Sequence, residues 1–195
     1  TYLGITQETT TLINDSFVTP GGFSVSGSLS GKTVIESICE LNGVFGQITG
    51  DGKFQYVSLS SPPTLTLDYY VDGTGSYEDY VTETVTGINA KGTTDDVGTI
   101  VGTNTNLYII NGNPLIYGTE GTQALTTALN TLLQHIMSVQ YRPFGVTTYG
   151  NPMLPLGTKL TINTKNQIIV SYVVNKRLTG LQSLKDKLSA TGEKQ

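Results

Sequence analysis

Residues 121–140 constrain the fold more than any other stretch of this chain. Ala124, Leu125, Ala128, Leu129, Leu132, Leu133, Ile136 and Val139 recur at helical spacing, while Thr127, Asn130, Thr131, Gln134 and Gln140 fill the opposite side. That spacing predicts one amphipathic helix with a broad apolar face. It is the only long helix in a sequence that otherwise reads as strands. Lacking a second long helix to pack on, it must bury its face against a sheet or plug an open barrel. A turn at Tyr141-Arg142-Pro143-Phe144 and the segment Gly150-Asn-Pro-Met-Leu-Pro-Leu-Gly157 follow it.

Composition agrees with a strand-rich chain. Among 195 residues there are 23 glycines, and Thr, Ser and Val abound, which favours turns and β-structure. The length suffices for one large domain or two small ones. Charged residues make up 13% of the chain, and 11 Lys and Arg against 15 Asp and Glu give a net charge of -4. Specific nucleic-acid binding is not expected from so few basic residues. A single cysteine, Cys39, excludes an internal disulfide and a cysteine-cluster metal site. No segment approaches the roughly 20 apolar residues of a membrane-spanning helix. The chain opens at Thr1, directly in strand-like sequence, and reads as a piece of a longer protein whose missing part lies upstream.

In chain order, Thr1 to Thr19 suits an irregular or edge-strand entry, and Pro20-Gly21-Gly22 signals a turn before a short strand at Phe23 to Val25. Val34, Ile35, Ile38, Cys39 and Leu41 predict a short helix, with Thr33 as N-cap, Glu36 completing a capping box and Gly43 closing the end. A hairpin follows, Val44 to Thr49 against Lys53 to Leu59, turned at Gly50-Asp51-Gly52. Leu65 to Val71 reads as a strand inside a connector. The alternation of Tyr80, Thr82, Thr84 and Thr86 with Val81, Glu83 and Val85 predicts another, extended through Ile88 to Ala90. Further strands are expected at 97–101, 107–110, 115–117, 144–148, 159–163, 167–174 and 185–190, although 181–188 also admits a helix. Gly192 to Gln195 reads as a frayed end. The fold class is therefore α+β, mainly β: a small helix-plus-hairpin subdomain over residues 1–76, then a split β-barrel-like domain over 77–195 carrying the helix near 121–140.

Motifs that resemble chemistry are each outweighed by a plainer reading. Ser26-Gly-Ser-Leu-Ser-Gly31-Lys32-Thr33 ends as a phosphate-cradling loop should, but Gly27 falls one place late and a hairpin follows the helix, so a capped helix is the better account. A calcium loop from Asp72 to Glu83 would carry Thr74, Ser76 and Tyr77 where carboxylates, amides and a glycine belong. His135 is the only histidine and cannot build a multi-histidine metal site. Cys39, among apolar neighbours, reads as a small core residue. The carboxylates, Asp95-Asp96 and Glu78-Asp79 among them, are scattered, and no tryptophan offers a sugar platform. The sequence thus predicts no catalytic, cofactor-binding or metal-binding residues, and no enzyme.

Three stretches resemble the tail-hub proteins of long-tailed bacteriophages and prophages, the group that forms the baseplate hub and the N-terminal part of tail-associated lysins. They are Thr33 to Gly46 with Asp51 to Val57; Tyr77 to Tyr80, Asp96 to Gly102 and Asn111 to Leu115; and Tyr141 to Phe144, Gly150 to Gly157 and Leu178 to Gly192. The resemblance implies a virion structural protein, assembled in the host cytoplasm, whose full-length form is a trimeric ring. Such a ring joins the tail tube and distal tail protein to a fibre or lysin module and lets DNA pass. The alternative is a glycan- or receptor-binding β-module of a surface protein, with Tyr69, Tyr70, Tyr77 and Tyr80 as an aromatic platform.

Overall fold

The computed structural model describes residues 4–8, 11–19, 29–71, 74–93, 95, 97–164, 167–180 and 183–192. The expected turn at Pro20-Gly21-Gly22, the strand at Phe23 to Val25, the start of the Ser26 to Thr33 loop and the last residues lie outside them. Within these bounds there are two helices and twelve strands. In order they are α1 (Gly31–Asn42), β1 (Val44–Ile48), β2 (Phe54–Ser58), β3 (Thr64–Leu67), β4 (Ser76–Tyr77), β5 (Gly87–Lys91), β6 (Thr99–Gly102), β7 (Leu107–Asn111), α2 (Gln123–Ile136), β8 (Phe144–Tyr149), β9 (Lys159–Asn163), β10 (Ile168–Tyr172), β11 (Asn175–Thr179) and β12 (Lys185–Ala190). The protein is mainly β, with a helix-plus-hairpin region. Among the described residues its strands form open sheets and no closed barrel.

The chain divides into two units, Thr1–Tyr56 with Thr84–Ser138, and Val57–Glu83 with Val139–Gln195. It thus passes from one unit to the other three times, whereas the sequence reading divides it once, at 76/77.

In the first unit, α2 supplies the apolar stripe. Leu125, Leu129 and Leu132 are fully buried against Ile88, Ala90, Val101 and Ile110 of the sheet β6-β5-β7. Each such side chain contributes about 1.5–3 kcal/mol by leaving water. Thr122 caps α2 by accepting from the Leu125 N–H at 3.3 Å. The helix ends at Ile136, short of the expected Gln140. Asn14, in the entry segment, ties both helices: its amide donates to Leu41 O at 2.8 Å and Ala128 O at 3.2 Å, and its N–H to Asn42 Oδ1 at 2.9 Å. The entry segment also bridges β2 at Gln7 and Phe54, an edge-like pairing.

Three local expectations are corrected here. The N-cap of α1 is Ser30, whose hydroxyl accepts from the Thr33 N–H at 3.1 Å; Thr33 lies in the first turn. Residues 115–117 form a turn, because the Asn113 carboxamide accepts the Leu115 N–H at 2.9 Å and Ile116 N–H bonds Asn113 O. The alternating run 80–86 is not a strand. Its backbone takes isolated partners instead, with Thr82 N–H on Tyr141 O and Thr86 N–H on Asn106 O.

The second unit holds two sheets, β10-β9-β3, in which β3 runs parallel to β9, and the antiparallel β11-β12-β8-β4. Phe144, Val146, Leu160, Ile162, Ile169, Val173, Leu188 and Ala190 form its core. β12 spans Lys185–Ala190, which decides against a helix there. β11, pairing with it from Asn175 to Thr179, has no counterpart in the sequence reading.

Candidate functional site

Where the sequence hinted at chemistry, the side chains are engaged in packing or in local bonds. Lys32 stands on the exposed side of α1, 3.6 Å from Glu36 one turn on. Cys39 is buried, and desolvation pushes its thiol up, with Glu36 adding to the effect, so the thiolate needed for nucleophilic work is disfavoured. His135 packs beside Gly43, and burial lowers the pKa of its imidazole. Asp72 lies outside the described residues. Of the other calcium-loop positions, Thr74 donates its hydroxyl to Val71 O at 2.6 Å and Ser76 donates to Gly145 O at 3.4 Å. Among the described residues no three of His, Cys, Asp and Glu gather where a metal ion could sit.

The four tyrosines do not share one arrangement. Tyr77 and Tyr80 line a depression of about 240 Å³ in the second unit. The Tyr80 hydroxyl donates to Gly192 O at 2.7 Å, Tyr70 packs on the core, and Tyr69 is 83% exposed outside that lining.

Two features went unmarked in the sequence. The first is a polar hook in the second unit. Asp186, fully buried, accepts the Asn151 N–H at 2.7 Å and lies 3.7 Å from the Lys176 ammonium. That ammonium also donates to Asn151 O and, at 2.9 Å, to Leu154 O. A half-buried cation thereby holds both ends of the 151–154 turn, and removing it would strand the buried Asp186 carboxylate. The hook leaves Met153 86% exposed.

The second is an apolar sheet face in the first unit. Register sets Ile100, Asn89 and Ile109 side by side across β6, β5 and β7 on the side away from the core. Ile100 is 47% and Ile109 57% exposed. Between them the Asn89 Oδ1 is shielded from solvent and has no hydrogen-bond partner among the described residues. It faces Gly98, where a Cβ would stand only 2.3 Å away. Leu107 continues the face beside Gly87. Exposed apolar patches, when contiguous and large, mark contact surfaces. The residues were visible in the sequence, but only strand register brings Ile100 and Ile109 to one row.

No protein-family model matches the chain, and no curated protein matches it. Phage tail and baseplate proteins are among the solved structures it resembles. The tail protein from Neisseria meningitidis MC58 is similar at 12% identity and a TM-score of 0.41, over 78% of this chain and 51% of that one. The 43 kDa tail protein of prophage MuSo2 from Shewanella oneidensis is similar at 10% identity and 0.44, over 85% and 53%. The phage P2 baseplate in its activated conformation with Ca is similar at 11% identity and 0.26, over 93% and 59%. The chain spans about half the length of the two tail proteins it matches. At these identities and scores the likenesses assign no residue, partner or activity to it.

Proposed function

We propose that this chain is a structural part of a phage tail tip: a fragment of a baseplate hub that links the tail tube and distal tail protein to a fibre or lysin module by assembly, without catalysis. The observation that carries the reading is the pair of exposed isoleucines, Ile100 and Ile109, flanking Asn89 on the outer face of the sheet, a face suited to a subunit contact. The three hub-like stretches named above support it from the sequence. In the full-length protein the assembly is a trimeric ring, formed in the bacterial host cytoplasm and carried in the virion tail. A ring through which DNA slides must not grip it, and a net charge of -4 serves that end. Light scattering on the full-length protein, unchanged and with Ile100→Lys and Ile109→Lys, tests the reading through its oligomeric state. The alternative, a glycan-binding module, rests on exposed Tyr69 and Tyr77, and specific capture of this chain on a glycan array would favour it.

A further inference from the structure

The outer face of the sheet β11-β12-β8-β4 gathers three cations at neighbouring strand positions of an acidic chain. Strand register aligns Thr179, Lys185 and Tyr149 in one row and Arg177, Lys187 and Thr147 in the next. Arg177, Lys185 and Lys187 are all exposed, and none takes part in an ion pair with a described residue. Lys32 and Lys53 each have a carboxylate partner, as does Lys176 on the other side of β11, while Arg142 donates to Gln167 and Lys159 stands over the Tyr172 ring. Arg177 and Lys187 stand directly opposite one another, an arrangement that costs stability when both charges are alike. Three cations within one Debye length therefore face solvent together.

Beside this face lies an open edge. Among the described residues β11 pairs with β12 on one side only, so alternate N–H and C=O groups of Asn175–Thr179 turn outward. Along that edge Arg177 points to the outer face, while Leu178, 42% exposed, lies on the core side in register with buried Asp186. The core-side positions of β11 are thus Lys176, drawn to Asp186, and Leu178, and the outer-side ones Asn175, Arg177 and Thr179, so one cation and one apolar side chain lie next to each other on opposite faces of the edge.

We propose that β11 is a docking edge for an extended segment of another protein in which acidic and aliphatic residues alternate. The segment adds as a further strand. Its backbone pairs with β11, its carboxylates meet Arg177 and lie within reach of Lys187 on the outer face, and its aliphatic side chains cover Leu178. Main-chain bonds give affinity, and the uncompensated cations choose the partner and quicken its arrival. Cations on an edge strand can instead serve only to repel other strands. The two roles differ in what they allow to bind. The docking edge stands whether or not the chain belongs to a tail tip.

The test titrates the full chain with labelled short peptides by fluorescence anisotropy in low salt. A peptide alternating Glu and Val is expected to bind, and to lose about tenfold or more in affinity at high salt as the charges are screened. The same peptide N-methylated at alternate amides should lose binding. The double variant Arg177→Glu, Lys187→Glu should reject the Glu-Val peptide and accept a Lys-Val one, a gain that only a folded protein can show. The proposal is overturned if the Glu-Val peptide does not bind below about 1 mM. It is equally overturned if N-methylation makes no difference, or if single-stranded DNA binds as tightly as the peptide, since the face would then be an undiscriminating polyanion surface.

Discussion

At Gly43 backbone conformation and packing make the same demand. Its φ of 60° closes α1 in the left-handed region, and a Cβ there would meet Ile136 Cγ2 at 2.8 Å and Leu132 Cδ1 at 3.0 Å. Gly43→Ala should destabilise the protein by about 1–3 kcal/mol, read from urea unfolding. Gly31→Ala, in open helical backbone, should be neutral or stabilising in the same assay. Titratable groups give a second residue-scale prediction. Burial raises the Glu40 carboxyl above its ordinary 4.5, although a hydrogen bond donated by the Asn113 side-chain amide pulls it down. The folded state then holds its proton more tightly, so Glu40 makes stability fall as pH rises through the region just above 4.5. Burial lowers His135 below 6.5, so its contribution is present above 6.5 and is lost as pH falls through its folded pKa. Thermal melts across this range should lose the first slope in Glu40→Gln and the second in His135→Gln. Gly43 was legible as a helix end because the αL position after a helix selects glycine. Lys176 and Asp186 were not, because nothing marks either residue until the β11-β12 hairpin sets their register.

Elements were legible where periodicity and punctuation coincided. The hairpin turned at Gly50-Asp51-Gly52, the strand Lys159–Asn163 and the strand Lys185–Ala190 stand where they were expected. α2 was legible from its apolar stripe, which ends at Ile136 because Met137 and the residues after it leave the core. The run 80–86 shows the limit of that signal. Its alternation suits a strand, yet an alternating segment becomes one only with a continuous neighbour, and here its backbone partners are Tyr141 and Asn106 in turn. The cap of α1 shows another limit. Ser30 and Thr33 both qualify by type, and Ser30 takes the position because Gly31 and Lys32 are already helical. Ser30→Ala should therefore cost about 0.5–2 kcal/mol in urea unfolding, more than Thr33→Ala, whose hydroxyl bonds the Ser30 hydroxyl rather than a backbone group of the helix among the described residues.

For the whole molecule, the chain's two units each carry their own core. That division was the least legible property, because it depends on contacts between residues far apart in sequence, such as Asn14 with Ala128. The row Ile100-Asn89-Ile109 belongs to the same class of information: a period-2 pattern gives each strand's faces, but only pairing shows that the outer faces make one surface. If that surface is a subunit contact, burying it should hold the full-length protein together. The molar mass of the full-length protein, followed by light scattering over a wide concentration range, is the measurement to make first. A trimer that dissociates or weakens when Ile100 and Ile109 are changed to lysine is the predicted result. A protein that remains monomeric at the highest concentration, or a trimer indifferent to both substitutions, would contradict the account.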